Sequence, residues 1–397
     1  MRKILQTAAI AAALAAPGFA HAEDLRIGFV NTMTGPGATP GIENTNGWKL
    51  GLEHQGWTKD GDKLGGVPTR VFYADDQWKP DVALKEVDKM LRQDKTQIIA
   101  GFMWSNILMP AQKPITEAKV GLLITNAGAS PMAGELCSPY VVSTSFNNEQ
   151  FTEALGKMLT DEKIATIFLM APNYQAGKDQ ITGLKRTLKG VKIVDEVLFK
   201  VGESDFQADI SKIRAAKPQA VFIFAPGGMG VAFFKQWAAS GAGKDIKVYS
   251  SNTIDWLTLP AIGEAAVGSY DALHWNTDLD NPANQKFVKG YVAKYGKNPS
   301  NYAAQGYDGA SIIAATMMAM KGQWKDSLDI MKAMRKVKYD SVRGPYSYNV
   351  NGMPIQNFYK QEVIRGKDGK PDIVTRGVIF ANYKDAYWEK CPADKRH

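Results

Sequence analysis

From residue 25 to residue 251, apolar runs that read as strands alternate with longer stretches of helical periodicity. This alternation constrains the fold more than any other feature. A helix between two strands carries the chain back over the sheet and leaves the strands parallel. Strands are expected at 25–30, 67–74, 96–101 and 120–125, and again at 164–170, 191–199, 220–224 and 246–251. In the helix opening at Pro80, Ala83, Val87, Met90 and Leu91 recur at one-face spacing. Between the two series, the run 140–148 is extended and ends in a polar cap. Each series suffices for its own open, mostly parallel sheet, so the chain reads as α/β with two units. After Ser269 come an extended run at 270–275, helices at 285–295, 302–321 and 327–337, and short strands at 346–349 and 357–363. These are too few for a third domain and are expected to complete the first two.

The segment from Gly101 to Pro131 is the most informative for function. A strand empties into the turn Trp104-Ser105-Asn106, a helix follows, and a second strand ends in Asn126-Ala127-Gly128-Ala129-Ser130. Strand ends of this kind lie at the carboxyl edge of a parallel sheet, where ligands bind. The free amides at a helix start after Ser105, with the backbone of a small-residue loop, suit a carboxylate. Two ordinary strand-to-loop junctions are the competing reading.

The chain opens with Met1-Arg2-Lys3, an uncharged run over 4–16, and Ala20-His21-Ala22. That is the pattern of an export leader (1–22) cleaved after Ala22, and the apolar run is too short to span a bilayer. A soluble, exported product without direct membrane insertion is expected. The net charge of +8 falls to +6 without Arg2 and Lys3, 46 basic against 40 acidic side chains. Acids and bases alternate along the helices, which describes a solvated surface and not a nucleic-acid stripe. The only cysteines, Cys137 and Cys391, are a candidate disulfide in an oxidising compartment; two free, buried thiols are the alternative. His21, His54, His274 and His397 show no ligand spacing, so neither a metal nor another cofactor is expected.

Other motifs carry less. The stretch 35–41 is glycine-rich but lacks G-x-G-x-x-G spacing and a following Lys-Ser/Thr, so it does not read as a phosphate loop. Gly227-Gly228-Met229-Gly230 reads as a tight turn into a helix. Asp75-Asp76 reads as a cap for the helix that follows. A hydrolase using Ser105 is disfavoured, because no G-x-S-x-G elbow is present and no histidine is placed to serve as base.

Several pieces together resemble the leucine/isoleucine/valine-binding type of periplasmic solute receptor for ABC transporters. They are Ile27-Gly28 with Thr34-Gly35-Pro36, Asp75-Asp76 with Pro80, Gly101 with Ser105, the loop from Thr125 to Pro131, Asn173-Tyr174 with Gly177, and Tyr302 with Tyr307-Asp308. The resemblance implies two Rossmann-like lobes of the type I periplasmic, Venus-flytrap kind, joined by three hinge crossovers near 143–147, 272–277 and 347–352. The lobes would comprise 23–145 plus 275–348 and 146–274 plus 349–385, with 386–397 as a C-terminal tail. It further implies that Ser105 and the loop of Asn126, Ala127, Gly128, Ala129 and Ser130 hold a carboxylate, with Tyr302 nearby. Tyr174 would reach the ligand only as the cleft shuts.

The departures point to the ligand. Thr253 stands where amino-acid binders of this family place the acid that holds the ammonium, Pro226 replaces an aromatic, and Pro40 replaces a tyrosine. A buried ammonium without a carboxylate costs several kcal/mol, so an α-amino acid is disfavoured unless Asp255 turns inward. Trp104 offers a flat wall, or else is a core residue behind the turn. The expected ligand is an aromatic acid of the benzoate or cinnamate/coumarate kind. The expected partners are permease subunits, and the chain is expected to be a periplasmic monomer. A branched-chain amino-acid binder and a ligand sensor are the alternatives.

Overall fold

The computed structural model describes residues 24–396; the expected leader and its cleavage point after Ala22 lie outside them. The first lobe is built on β1 (Leu25–Asn31), β2 (Lys63–Leu64), β3 (Val67–Asp75), β4 (Ile98–Gly101), β5 (Gly121–Ile124) and β6 (Val141–Ser143). Helices α1 (Ala38–His54), α2 (Pro80–Arg92) and α3 (Ser105–Glu117) connect them. The sheet order is β2-β3-β1-β4-β5-β6, parallel apart from β2, which runs against β3. β4 and β5 are buried at every position, because helices on both faces turn a central strand apolar throughout. α2 buries Ala83, Val87 and Met90, the face its spacing marks. Asp75 and Asp76 do not cap it: they accept amides of Met33, Gln77 and Trp78 and so brace the preceding turn.

The second lobe follows with α4 (Asn148–Asp161), β7 (Thr166–Pro172), α5 (Gln175–Thr187), β8 (Lys192–Phe199), α6 (Gln207–Ala216), β9 (Ala220–Ile223), α7 (Gly228–Ser240), β10 (Lys247–Ser250), the short α8 (Leu259–Ile262) and β11 (Tyr270–Leu273). Asn147 opens α4 with a reciprocal capping box to Gln150. The chain then returns to the first lobe as α9 (Pro282–Tyr295), α10 (Asn301–Ala319) and α11 (Ser327–Met334). α10 lies directly on α1: a Cβ on Gly47 would sit 1.9 Å from the Ala303 carbonyl oxygen, and one on Gly306 would sit 2.1 Å from that of Asn44. Glycine at both contacts lets the backbones touch and brings Tyr302 to the cleft.

β12 (Tyr346–Tyr348), β13 (Pro354–Arg365) and β14 (Pro371–Tyr383) finish the second sheet, in the order β12-β13-β11-β10-β9-β7-β8 with β14 on β13. The sequence reading stops at 363 and lacks β14. Much of β14 is exposed, so it carries no alternating apolar signal, although Asp368-Gly369 marks the hairpin turn.

The chain passes between the lobes after β6, after β11 and after α11. The last passage lies ahead of the expected 347–352 stretch, because Tyr346 already pairs with Gln356 in the second sheet. Arg343, in that passage, is 1% exposed. It donates to Asp308 Oδ2 (2.9 Å), to the carbonyls of Thr144 (2.6 Å) and Ser145 (3.0 Å), and to Gln356 Oε1 (2.9 Å). The third passage is thereby tied to the first. Cys137 and Cys391 form a disulfide with Cα atoms 5.6 Å apart, which fastens the C-terminal tail to the loop after β5.

Candidate functional site

The site grows from five strand ends, two on the first lobe and three on the second. At the end of β4, Gly101 has φ +114°, and a Cβ there would lie 2.1 Å from the Val30 carbonyl oxygen; only glycine fits. Phe102 follows at φ +66°, and the reversal sets Trp104 just ahead of α3, with Ser105 as the helix's first residue. Trp104 Nε1 donates to the Gly37 carbonyl at 3.2 Å. Beside it, the loop after β5 is pinned by Asn126 Nδ2 donating to the Met103 carbonyl at 2.7 Å. From the second lobe come Tyr174, Ala176 and Gln180 at the start of α5, Phe224 and Pro226 after β9, and Asn252 after β10.

Between the lobes these residues line a narrow cleft of about 350 Å³, counting space open to solvent, together with Ala127, Phe146, Asn148 and Tyr302. The walls are aromatic: Trp104 and Tyr174 stand 6.2 Å apart, and Tyr174 and Phe224 lie nearly parallel at 6.4 Å. An outer chamber of about 650 Å³ continues past Trp104 and Pro226 toward Trp78 and Glu203. Burial pushes the phenols of Tyr174 and Tyr302 up, so both stay neutral. No residue lining the inner cavity is an Asp, Glu, Lys or Arg; Glu203 lines only the outer chamber.

Ser105 Oγ accepts from Asn148 Nδ2 at 3.3 Å, which leaves its own proton free to donate. The amides of Ser105 and Asn106 open α3, where no intrahelical acceptor exists. The hydroxyl and the helix start are therefore suited to an anion.

The loop contributes less than expected. The Ala127 amide donates to the Phe102 carbonyl, and the Ser130 amide donates to Asp179 Oδ2 at 3.0 Å. Of the expected site residues, Trp104, Ser105, Asn126, Ala127, Tyr174, Pro226 and Tyr302 share the cavity wall; Gly128, Ala129, Ser130 and Thr253 do not. Thr253 Oγ1 accepts the Ala225 amide at 2.8 Å and stands 3.1 Å from the Ile223 carbonyl, so it braces the strand ends. Asp255 is also off the wall: it accepts the amides of Leu257 and Thr258, and burial pushes its carboxyl up to about 7.

Met103, Phe146, Asn148, Ala176, Gln180, Phe224 and Asn252 were not singled out from the sequence. Gln180 follows Ala176 by one helical turn at the start of α5, and a pair of residues is too short a pattern to mark a binding face in the sequence. Among the described residues no cluster of His, Cys, Asp and Glu suits a metal, and no helix is long and apolar enough to cross a membrane.

Two α/β lobes that close from opposite sides on one aromatic slot, joined by three passages of chain, define a receptor that encloses a small molecule. Residues 24–370 match the periplasmic binding protein family, and the chain belongs to it; its fold is the type I periplasmic one. It is 27% identical over 379 residues to a Leu/Ile/Val-binding protein homolog 6 from Brucella melitensis, covering 93% of this chain and 95% of that one. Among solved structures, an ABC transporter solute-binding protein from R. palustris in complex with benzoate superposes with TM-score 0.85 at 28% identity, covering 93% and 99% of the two chains. A solute-binding protein from Rhodopseudomonas palustris BisB5 in complex with 3,4-dihydroxybenzoic acid gives 0.85 at 29%, covering 91% and 99%.

Proposed function

We propose that this chain is the exported substrate-binding component of an ABC uptake transporter, capturing a small aromatic carboxylate of the benzoate or cinnamate kind. The single observation that carries this reading is the cavity wall: aromatic faces, the Ser105 hydroxyl at a helix start, and no carboxylate to hold an ammonium. Charge-assisted hydrogen bonds to a carboxylate contribute roughly 1.5–3 kcal/mol each, so three would supply much of the ~8 kcal/mol of a micromolar complex. The benzoate and dihydroxybenzoate complexes of similar receptors support the same ligand class.

The lobes are taken as 24–145 with 275–345, and 146–274 with 346–385. Ser105 and α3 would load the ligand, and Tyr174, Gln180 and Asn252 would meet it on closure, which is where binding shifts the open–closed population. The receptor would then present the unaltered ligand, in the periplasm and as a monomer, to permease subunits.

Branched-chain amino-acid binding is the second reading, favoured by the Brucella relative and opposed by the lack of a lining carboxylate. Calorimetric titration of the mature protein with benzoate, p-coumarate, leucine and phenylalanine decides. Micromolar binding of an aromatic acid is expected; tight leucine binding with no aromatic-acid signal refutes the proposal.

A further inference from the structure

Three side-chain oxygens on the cavity wall have no hydrogen-bond partner: Asn126 Oδ1, Gln180 Oε1 and Asn252 Oδ1. The residues are 6%, 1% and 4% exposed, so bulk water does not satisfy them. The Asn126 amide cannot be inverted to remove its orphan, because Nδ2 already donates to the Met103 carbonyl and inversion would set oxygen against oxygen. Buried acceptors in folded proteins are paired as a rule. Three around one cavity therefore call for donors from whatever fills the space.

An unsubstituted aromatic carboxylate has none to offer: its oxygens only accept, and its ring edge is apolar. We infer that the ligand carries hydroxyl groups besides its carboxylate, and that Asn126, Gln180 and Asn252 select a hydroxylated aromatic acid over the bare one. This rests on the aromatic-acid reading above. An ammonium is the other donor of suitable size, but it would be buried here without a counter-ion, which phenolic hydroxyls do not need. The placement also links selection to closure. Asn126 belongs to the first lobe, and Gln180 and Asn252 belong to the second, so a ring with two hydroxyls bonds to both sides only when the lobes meet.

The test is calorimetry on the mature protein with benzoate, 4-hydroxybenzoate, 3,4-dihydroxybenzoate and 4-methoxybenzoate, with leucine as the ammonium-bearing probe. At least one hydroxylated acid should bind about tenfold or more tightly than benzoate, since a site built for a hydroxyl penalises its loss. The methoxy compound, which accepts but cannot donate, should gain nothing. In Gln180→Leu and Asn252→Leu, shown folded by circular dichroism, the ratio of hydroxylated to bare affinity should fall toward one. Benzoate binding as tightly as every hydroxylated acid to the unaltered protein overturns this inference alone. Leucine binding with none of the acids overturns the aromatic-acid reading and this inference with it.

Discussion

The amide of Ser130, on the first lobe, donates across the cleft to Asp179 Oδ2 on α5 at 3.0 Å. Asn148 Nδ2 and Gln175 Nε2 also donate to this carboxyl, at 2.9 and 2.8 Å. Even so, burial pushes Asp179 up to about 6, with Glu149 on α4 adding to the rise. Opening the cleft would admit water to this group and so lower its pKa toward the ordinary 3.8. A raised value means that the closed form holds the proton more tightly. Closure is therefore favoured at acid pH and loses that contribution as pH climbs through 6. Small-angle scattering of the ligand-free protein should show a smaller radius of gyration at pH 5 than at pH 8. Asp179→Asn should abolish the difference, and equal radii for the unaltered protein would count against the linkage.

Arg343 should prove the most sensitive position in the hinge. Its guanidinium and the Asp308 carboxylate are both fully buried, and it also satisfies the carbonyls of Thr144 and Ser145. Removing one member of a buried pair leaves an uncompensated charge, at a cost of roughly 3–5 kcal/mol. Arg343→Met should lower the urea midpoint accordingly, and Asp308→Asn in that background should recover part of the loss. A double variant no more stable than the single one would mean that the carbonyl contacts, not the ion pair, carry the effect.

Much of this architecture is legible in the chain because it comes from local patterns. The apolar runs that become β4, β5 and β9 are continuous, and α2 shows one buried stripe. The ligand-facing edge could be read for the same reason, since Ser105 and Asn126 sit where strands end in small polar residues. What escaped notice depends on distance in sequence. Arg343 reaches Thr144 across 199 positions, and no periodicity announces such a contact. The Ser130 and Ala127 amides look free in the sequence, but their acceptors, Asp179 and the Phe102 carbonyl, are supplied by tertiary packing. Thr253 shares the position of a ligand contact, but its hydroxyl is used by the backbone around it.

The disulfide should act on stability without reaching the cavity. Cys137 and Cys391 are separated by 254 residues, and closing so long a loop in the unfolded chain stabilises the native state by up to roughly 5 kcal/mol. Among the described residues of the tail, none lines the cavity. The double variant Cys137→Ser/Cys391→Ser, or the reduced protein, should unfold at a clearly lower urea concentration and keep its ligand affinity within about threefold. A large loss of affinity would show that the tail holds the lobes in register.

Ser105 and Thr253 separate binding from bracing, although both are buried hydroxyls near the cleft. Ser105 Oγ accepts from Asn148 and keeps its proton for a ligand; replacing it with alanine should weaken carboxylate binding by roughly 1.5–3 kcal/mol, a factor of about ten to one hundred and fifty. The ligand-free protein should melt almost unchanged, because the lost bond to Asn148 is long. Thr253 Oγ1 is instead the acceptor of the buried Ala225 amide, so Thr253→Val orphans that group at a cost of roughly 1–3 kcal/mol of stability. Its effect on affinity should stay within about threefold. Calorimetry and thermal melts on the two variants check both statements, and an inverted outcome, with Thr253→Val losing ligand and Ser105→Ala losing only stability, would move the carboxylate from the helix start to the far lobe.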